Sequence, residues 1–301
     1  ARDLRVIDAV PLPDAVATYD RVGQRYSAEG FALKAISVYK QIRELIRKHA
    51  PELAERYAHI TPKLAEIYTQ LGLTSDALQT YDEVATRFQR LGRDRDAVEV
   101  FQKMVALDPN NPLPHLRLAE ASCRIQQLDP AIDSFWAAAE LLLRMQRDDD
   151  ALKVIERILH FRQDPRYARH AAELYLKRGD RESGMQALTK LQICFRADPR
   201  NLDTLGLLAR TFLQIGQDAK ALEVYKEMAR LAREQGRQEL FLELVQHLSA
   251  VAPEDEQVQA LQAVAVARGP SLQPAQPPPP APVEEVEAVE EVEEVEPVEE
   301  V

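Results

Sequence analysis

The sequence predicts an all-α fold, and three observations lead to this prediction. Apolar residues recur at the three- and four-residue steps that place side chains on one face of a helix, and no stretch alternates as a strand would. Single turn residues, mostly Gly, separate successive helical faces. One spacing pattern of small, bulky and turn residues recurs along the chain, so the helices are expected to form repeated hairpins.

The pattern is clearest between Ala65 and Pro109, where it occurs twice in succession. A small and a bulky residue precede each turn, and a second small residue, five positions after the turn, lies on the next helix. The turn residues of the eight copies are Gly30, Gly72, Gly92, Gln126, Gln146, Gly179, Gly216 and Gly236. The small residues after the turns include Ala77 and Ala221, which we expect where two helices approach closely.

Three of the steps between turns are only 20 residues, which leaves room for one helix instead of two. The helices 74–91, 129–146 and 218–235 are therefore interpreted as shared by two overlapping hairpins. Thr61–Pro62 is expected to bend a helix over 52–70 or to begin a fresh turn, because proline lacks the N–H that a continuous helix needs. In order, the predicted helices are 14–29, 31–49, 52–70, 74–91, 94–107, 113–127, 129–146, 148–161, 165–178, 181–196, 201–215, 218–235, 237–250 and 254–267.

At the repeated residues the chain resembles the tetratricopeptide repeat family, from about Ala15 to Leu248. The resemblance implies hairpins stacked in a right-handed superhelical solenoid, whose groove holds a partner helix or an extended peptide. The chain lacks the Trp that many such repeats carry early in their first helix. The two-carboxylate clamp of some relatives is not reproduced either, because no Asn pair is present. The matching positions hold Arg169, Glu173, Gly206 and Arg210.

Composition divides the chain into a repeat array at 1–268, a Pro-rich linker at 269–282 and a Glu/Val-rich acidic tail at 283–301, which we expect to be disordered. The tail is interpreted either as solubilising or as a repeated recognition motif. The chain has 38 basic and 49 acidic residues, and removing the ten Glu of the tail leaves 38 against 39. A neutral array argues against nucleic acid as a partner, since phosphate binding requires a basic face.

One stretch of the array departs from this neutrality. Between 157 and 181, seven basic residues and two His accompany only three acidic residues. One interpretation is a patch for an acidic peptide, and the alternative is a solvated helix face with local ion pairs. The residues predicted to bind a partner are Arg162, Arg166, Arg169, His170, Lys177, Arg178 and Arg181.

No catalytic, cofactor-binding or metal-binding residue is predicted, and no cofactor is expected. The six His are scattered over separate helices without metal-ligand spacing, and each Gly is accounted for by a turn or a close helix contact. Cys123 and Cys194 are interpreted as small buried residues, and Trp136 as core between repeats. No apolar run reaches the length of about 18 residues that a membrane span requires, so no membrane insertion is expected.

The expected function is that of a non-enzymatic, cytoplasmic scaffold or adaptor that binds a protein or peptide. Around Phe31–Ile42 and Leu191–Pro199 the chain resembles long cytoplasmic tetratricopeptide proteins of gliding and predatory bacteria. That resemblance implies partners in signalling, cell polarity or motility, such as a Ras-like GTPase, a protein kinase or a pilus component. The alternative is a regulatory arm of a larger multidomain enzyme, a kinase or transferase. The missing initial Met is taken as a sign of a fragment.

Overall fold

The computed structural model describes residues 11–267, and the structural statements below refer to these residues. They form fourteen α-helices and one 3-10 helix, with no strand among them. The elements are α1 (Leu12–Ala28), α2 (Ala32–His49), the 3-10 helix (Pro51–Leu53), α3 (Ile60–Gln70), α4 (Thr74–Arg90), α5 (Asp94–Leu107), α6 (Pro112–Arg124), α7 (Leu128–Arg144), α8 (Asp148–Phe161), α9 (Pro165–Arg178), α10 (Arg181–Ala197), α11 (Leu202–Gln214), α12 (Asp218–Glu234), α13 (Gln238–Val251) and α14 (Glu256–Ala267). The all-α prediction is confirmed. The predicted linker at 269–282 and tail at 283–301 lie outside the described residues.

The chain divides into two compact units between Leu244 and Val245. In the first unit, each helix from α1 to α11 packs against the helix that follows it, as in a helical-repeat solenoid. Buried side chains form clusters along this unit, one from Val16 to Ala121 and another from Ala119 to Cys194. In the second unit, the Asp255 carboxylate accepts the backbone N–H of Gln257 (2.9 Å) and of Val258 (3.2 Å), which caps the start of α14.

All eight predicted turn residues adopt a left-handed backbone conformation, and they are the only ones to do so in the described part of the chain. Six are Gly, and the other two are Gln126 (φ 62°) and Gln146 (φ 58°). After α3, the backbone N–H of Leu73 donates to the carbonyl of Tyr68 at 2.9 Å, across the turn at Gly72. This bond satisfies a carbonyl that the end of a helix leaves free. The hairpin boundaries therefore lie where the spacing pattern places them.

Small residues lie where helices approach closely, as predicted. Ala77 is fully buried in α4, and Ala221 is 1% exposed in α12. In α10, a Cβ atom added to Gly184 would lie only 2.7 Å from Cγ2 of Ile215. No side chain can be accommodated at that separation without a shift of the neighbouring helix.

The shared helices show the contacts that their interpretation requires. Helix α4 packs extensively against both α3 and α5, and α7 packs extensively against both α6 and α8. Each of the two contains 17 residues. Other helices of the solenoid also pack against both neighbours, so the shared-helix interpretation of 74–91, 129–146 and 218–235 stays a prediction.

The helix predicted over 52–70 is wrong in its first half. Residues 54–59 form turns, and the α-helix begins only at Ile60. A helix running through from 52 would need an N–H at Pro62 to bond to the carbonyl four residues earlier. When the helix begins at Ile60, Pro62 lies in the first turn, where no such donor is needed. Of the two alternatives, a bent helix and a fresh turn at Thr61–Pro62, the structure shows a new helix that begins at Ile60. An irregular connection at 50–59 precedes it.

Candidate functional site

Helix α9 carries most of the residues predicted to bind a partner, and its ends are determined locally. At its start, the Asp164 carboxylate accepts the backbone N–H of Arg166 at 2.8 Å, and Pro165 occupies the first helical position. Arg166 also donates from its guanidinium to Asp164 at 3.1 Å, and this hydrogen bond lowers the pKa of Asp164 below its ordinary value. The helix ends at Gly179, which has a φ of 75°.

Helix α9 borders a cleft of about 820 Å³, which we call the α9 cleft. Residues of α7 and the start of α11 form its other walls, together with the end of α10. The lining residues are Asp133, Trp136, Pro165, Arg166, Tyr167, Arg169, His170, Glu173, Cys194, Ala197, Asp198, Asn201 and Thr204. Three predicted residues, Arg166, Arg169 and His170, therefore come together at one cleft.

Aromatic side chains form one wall of the α9 cleft. The ring of Trp136 lies 5.1 Å from that of Tyr167 and 5.0 Å from that of His170, measured between centroids. Trp136 is half-buried and Tyr167 is buried, and this burial raises the pKa of the Tyr167 phenol. Trp136 thus packs between repeats, as predicted, and it also lines the cleft, a role that the sequence did not indicate.

Polar contacts hold the side chains of the α9 cleft in place. The Arg169 guanidinium donates to Asn201 at 3.0 Å and to Thr204 at 3.3 Å, which links α9 to α11. His170 lies 3.7 Å from the carboxylate of Glu173. The Cys194 thiol is buried, as predicted, donates to a backbone carbonyl at 3.3 Å and has its pKa raised by burial, whereas Cys123 is only half-buried. Asn201 and Thr204 were missed in the sequence, because nothing local connects them with α9.

The other predicted residues lie away from the α9 cleft. Arg162 pairs with Asp129 at the start of α7. At the opposite end of α9, Lys177 pairs with Asp148 (2.8 Å) and Arg178 with Asp149 (2.6 Å), beside a separate cleft of about 170 Å³. Arg181 is exposed at the start of α10, and no described carboxylate pairs with it. The structure therefore separates the predicted set into two groups at the two ends of α9.

Acidic residues from neighbouring helices offset the positive charge of this stretch. The partners of Arg162, Lys177 and Arg178 are 33, 29 and 29 residues away in the chain. The α9 cleft itself is lined by two arginines, Arg166 and Arg169, and by three carboxylates, which belong to Asp133, Glu173 and Asp198. Further carboxylates, Asp164 and Asp203, pair with the two arginines. The α9 cleft therefore has more carboxylates than cations.

The predicted repeat family is supported by comparison with known proteins. A family model described as tetratricopeptide repeat matches residues 204–239, which contain the turns at Gly216 and Gly236. The matched segment is a tetratricopeptide repeat. No curated protein matches the chain in sequence. The tetratricopeptide match therefore covers α11, α12 and the turns around them.

Several solved structures resemble the chain at low identity. "MamA 41-end from Desulfovibrio magneticus RS-1" is 18% identical over 52% of this chain and 96% of that chain, with a TM-score of 0.30. YrrB, titled a TPR protein with an unusual peptide-binding site, is 16% identical over 55% and 89%, with a TM-score of 0.33. PilW, titled a widely conserved type IV pilus biogenesis factor, is 20% identical over 62% and 98%, with a TM-score of 0.28. With such TM-scores these likenesses carry no argument about function.

Residues 11–267 contain no group of three or more His, Cys, Asp or Glu placed to hold a metal ion. None of the helices in that range is both long enough and apolar enough to cross a membrane.

Proposed function

We propose that the chain is a non-enzymatic scaffold or adaptor that binds a helix or extended peptide of a partner protein in the α9 cleft. The observation that supports this most is the combination, in one cleft of about 820 Å³, of an aromatic wall with two arginines held by neighbouring side chains. Trp, Tyr and Arg are the residues that contribute most to protein interfaces when they are truncated to Ala.

Neighbouring side chains contact several of the residues that line the α9 cleft. Arg169 has three polar partners on α11, Arg166 is held by Asp164, and Trp136 is packed between Tyr167 and His170. Ordering a long side chain on binding costs about 0.5–1.5 kcal/mol, so side chains that are already held reduce this cost. We therefore expect a partner to bind in the α9 cleft at a small cost in side-chain entropy.

The charge of the α9 cleft determines which segment fits it. Because carboxylates outnumber cations, a strongly acidic peptide would meet repulsion from Asp133, Glu173 and Asp198. We propose an amphipathic segment instead, with an apolar residue against Trp136, an acidic residue near Arg166 and a basic residue near Glu173. The remaining residues of the predicted set lie outside the α9 cleft and are not part of this proposed surface: Arg162, Lys177, Arg178 and Arg181.

The cellular setting is part of the same proposal. The resemblance of Phe31–Ile42 and Leu191–Pro199 to long tetratricopeptide proteins of gliding and predatory bacteria supports a cytoplasmic partner in signalling, cell polarity or motility. A Ras-like GTPase, a protein kinase or a pilus component would each supply an amphipathic surface segment of the required kind.

A peptide selection on the full chain tests the proposal. Peptides selected from a random library are expected to include amphipathic sequences that bind the wild type and lose at least about tenfold in affinity to Trp136→Ala. Since Trp136→Ala removes packing as well, Arg166→Glu provides a second variant, because the Arg166 side chain is 77% exposed. The matched control is Arg178→Glu at the other end of α9. Equal affinity for the wild type, Trp136→Ala and Arg166→Glu would contradict the proposed site.

A further inference from the structure

The irregular connection at 50–59 forms a second cleft that the repeat pattern does not predict. After α2, the 3-10 helix at Pro51–Leu53 and the turns at 54–59 occupy the place of a first helical segment. Between α2, this connection, the start of α3 and Arg87 of α4 lies a cleft of about 580 Å³, which we call the N-terminal cleft. Its lining residues are Lys40, Arg43, Glu44, Ile46, Arg47, Pro51, Ala54, Tyr57, Ile60, Thr61 and Arg87.

Cations outnumber carboxylates in the N-terminal cleft. Four lining side chains are basic, and Glu44 is the one acidic residue among those that line it in the described structure. Glu83 pairs with Arg43, Glu55 with Arg87, and Lys48 with Glu44. The lining residues and these ion-pair partners together comprise five cations and three carboxylates. The N-terminal cleft therefore keeps a positive surplus, whereas the α9 cleft does not.

Lys40 is the lining cation of this cleft without a described ion pair, and its hydrogen-bond partner is the side chain of Tyr68. It is exposed, its ammonium lies 5.4 Å from the ring centroid of Tyr68, and no described carboxylate is within ion-pair distance of it. Arg87 is fixed more firmly, because it donates to the carbonyl of Ala54 at 3.2 Å and pairs with Glu55 at 2.8 Å. Arg87 thus contacts the connection through two polar partners, whereas the charge of Lys40 is not neutralised by an ion pair in the described structure.

Apolar side chains form the base of the N-terminal cleft. Tyr57 is 7% exposed, Ile46 8% and Ile60 1%, and Pro51 and Ala54 lie exposed at the edge. A ligand that fits this arrangement carries negative charge together with at least one apolar side chain. A small inorganic anion would leave the apolar base unused.

We propose that the N-terminal cleft binds an acidic peptide segment of a partner protein, in which apolar residues alternate with short runs of carboxylates. The carboxylates would lie against Lys40 and Arg47, and an apolar side chain would lie against Tyr57 and Ile46. Glu55 and Glu83 at the border repel a uniformly anionic polymer such as RNA, whereas the backbone N–H groups of a peptide can donate to them. This second site is independent of the α9 cleft and of the function proposed there.

The test uses a labelled synthetic peptide with the sequence of residues 283–301, which has ten Glu, seven Val and no basic residue. The protein is the full chain, measured alongside a full chain whose own ten Glu in that segment are replaced by Gln, so that this segment does not compete. Binding is followed by fluorescence anisotropy. The expected result is saturable binding that weakens when salt is raised from about 0.1 M to about 1 M, because the Debye length falls from about 10 Å to about 3 Å.

Two variants with the same change in net charge show whether the peptide binds in the N-terminal cleft or beside α9. Lys40→Glu is expected to weaken binding at least about tenfold, whereas Arg181→Glu, an exposed cation beside α9 without a described carboxylate partner, is expected to change it by less than about twofold. Lys40→Ala serves as a milder variant if Lys40→Glu lowers stability. A peptide with all Glu replaced by Gln is expected not to bind.

Three outcomes would overturn the proposal. Equal losses in Lys40→Glu and Arg181→Glu would show binding by overall charge alone. Unchanged binding in Lys40→Glu and Lys40→Ala would place the site elsewhere. Tighter binding of a single-stranded RNA of similar length, lost in Lys40→Glu, would identify a nucleic-acid site instead of a peptide site.

Discussion

The region around α9 and the region around the 50–59 connection carry similar numbers of basic residues but differ in what neutralises them. Around α9 the repeat is regular, and the acidic partners of Arg162, Lys177 and Arg178 come from helices about one repeat away. Around 50–59 the repeat is interrupted, and Lys40 has no described carboxylate partner. Stacking brings opposite charges together in both regions, as Arg43 with Glu83 shows near the connection. The two clefts differ in the balance that remains, because carboxylates outnumber cations in the α9 cleft and cations outnumber carboxylates in the N-terminal cleft.

This difference shows that an excess of basic residues in one stretch of a repeat sequence does not by itself indicate an anion-binding surface. The stretch 157–181 looks basic in the sequence because its partners lie outside the window. The basic side of α2 is less evident in composition, but Lys40, Arg43 and Arg47 follow each other at steps of three and four and share one helix face. That spacing was the signal by which the N-terminal cleft could have been found.

The largest expected effect concerns close packing at two buried Ala residues, one near the irregular connection and one in the segment that matches the repeat family. Ala77→Leu, in the second α-helix after the irregular connection, and Ala221→Leu, in the recognised repeat, should each lower the free energy of unfolding by about 1–3 kcal/mol, because both sites are fully packed. Urea unfolding measures this. Ala28→Leu, at an exposed site, is the control. An unchanged midpoint for either buried variant would show that close packing differs between the regions.

The second prediction concerns a half-buried network in the regular region. Glu156 accepts from the Tyr175 hydroxyl at 3.0 Å and from Lys190 at 2.6 Å, so it joins α8 to α9 and α10. Glu156→Gln should cost about 1–2 kcal/mol, because a charged acceptor is lost from a partly buried site. The measurement is denaturant unfolding, with Glu99→Gln on exposed α5 surface as the control. A cost no larger than that of the control would show that the network adds nothing.

The same network predicts how stability depends on pH. Burial, and then the hydrogen bond to Glu156, raise the pKa of Tyr175 from 10.0 to about 12. Between these values the unfolded chain loses the phenol proton while the folded chain retains it. The stabilisation is therefore complete below pH 10 and is lost as the pH rises toward 12. Spectrophotometric titrations of the wild type and of Glu156→Gln should differ by one tyrosine, which titrates at lower pH in the variant, and identical curves would contradict this origin.

A smaller effect on stability is expected at two turn residues, Gly72 and Gln146, which both have a left-handed backbone conformation. Gly72, between α3 and α4, has a φ of 70°, so Gly72→Ala should cost about 1 kcal/mol through backbone strain. Gln146, which precedes α8, already bears that strain at a φ of 58°, so Gln146→Gly should be neutral or stabilising by up to about 1 kcal/mol. Thermal unfolding of both variants checks the opposite signs. Destabilisation by Gln146→Gly would indicate that the Gln side chain contributes contacts of its own.

The smallest effect concerns Glu44 beside the N-terminal cleft. Hydrogen bonds from Lys48 and Arg47 lower the pKa of Glu44 from 4.5 to about 2. Any contribution to stability is present above pH 4.5 and is lost as the pH falls toward 2, but the side chain is exposed and the change in stability should be close to the limit of measurement. Carboxyl NMR titration is the more sensitive readout. Lys48→Ala should raise the pKa of Glu44, and an unchanged value would show that Lys48 is not the cause.

The sequence by itself determined the all-α class, the eight turn positions and the small residues at close contacts. These features depend on the spacing of residues within a single hairpin, and steps of three and four along a helix express that spacing directly. Even the two turns without Gly, at Gln126 and Gln146, could be located in this way, because the flanking apolar residues define them.

Only the tertiary structure decided which charges are neutralised and where clefts form. The pairs that matter join residues such as Arg169 and Asp203, which are 34 positions apart, or Arg43 and Glu83, which are 40 apart. Stacking of successive hairpins brings these residues together, and no local window contains both partners. The cleft role of Trp136 depends in the same way on neighbouring helices, whereas the break before Ile60 follows from Pro62. The sequence pattern therefore predicted the hairpins but not the clefts between them.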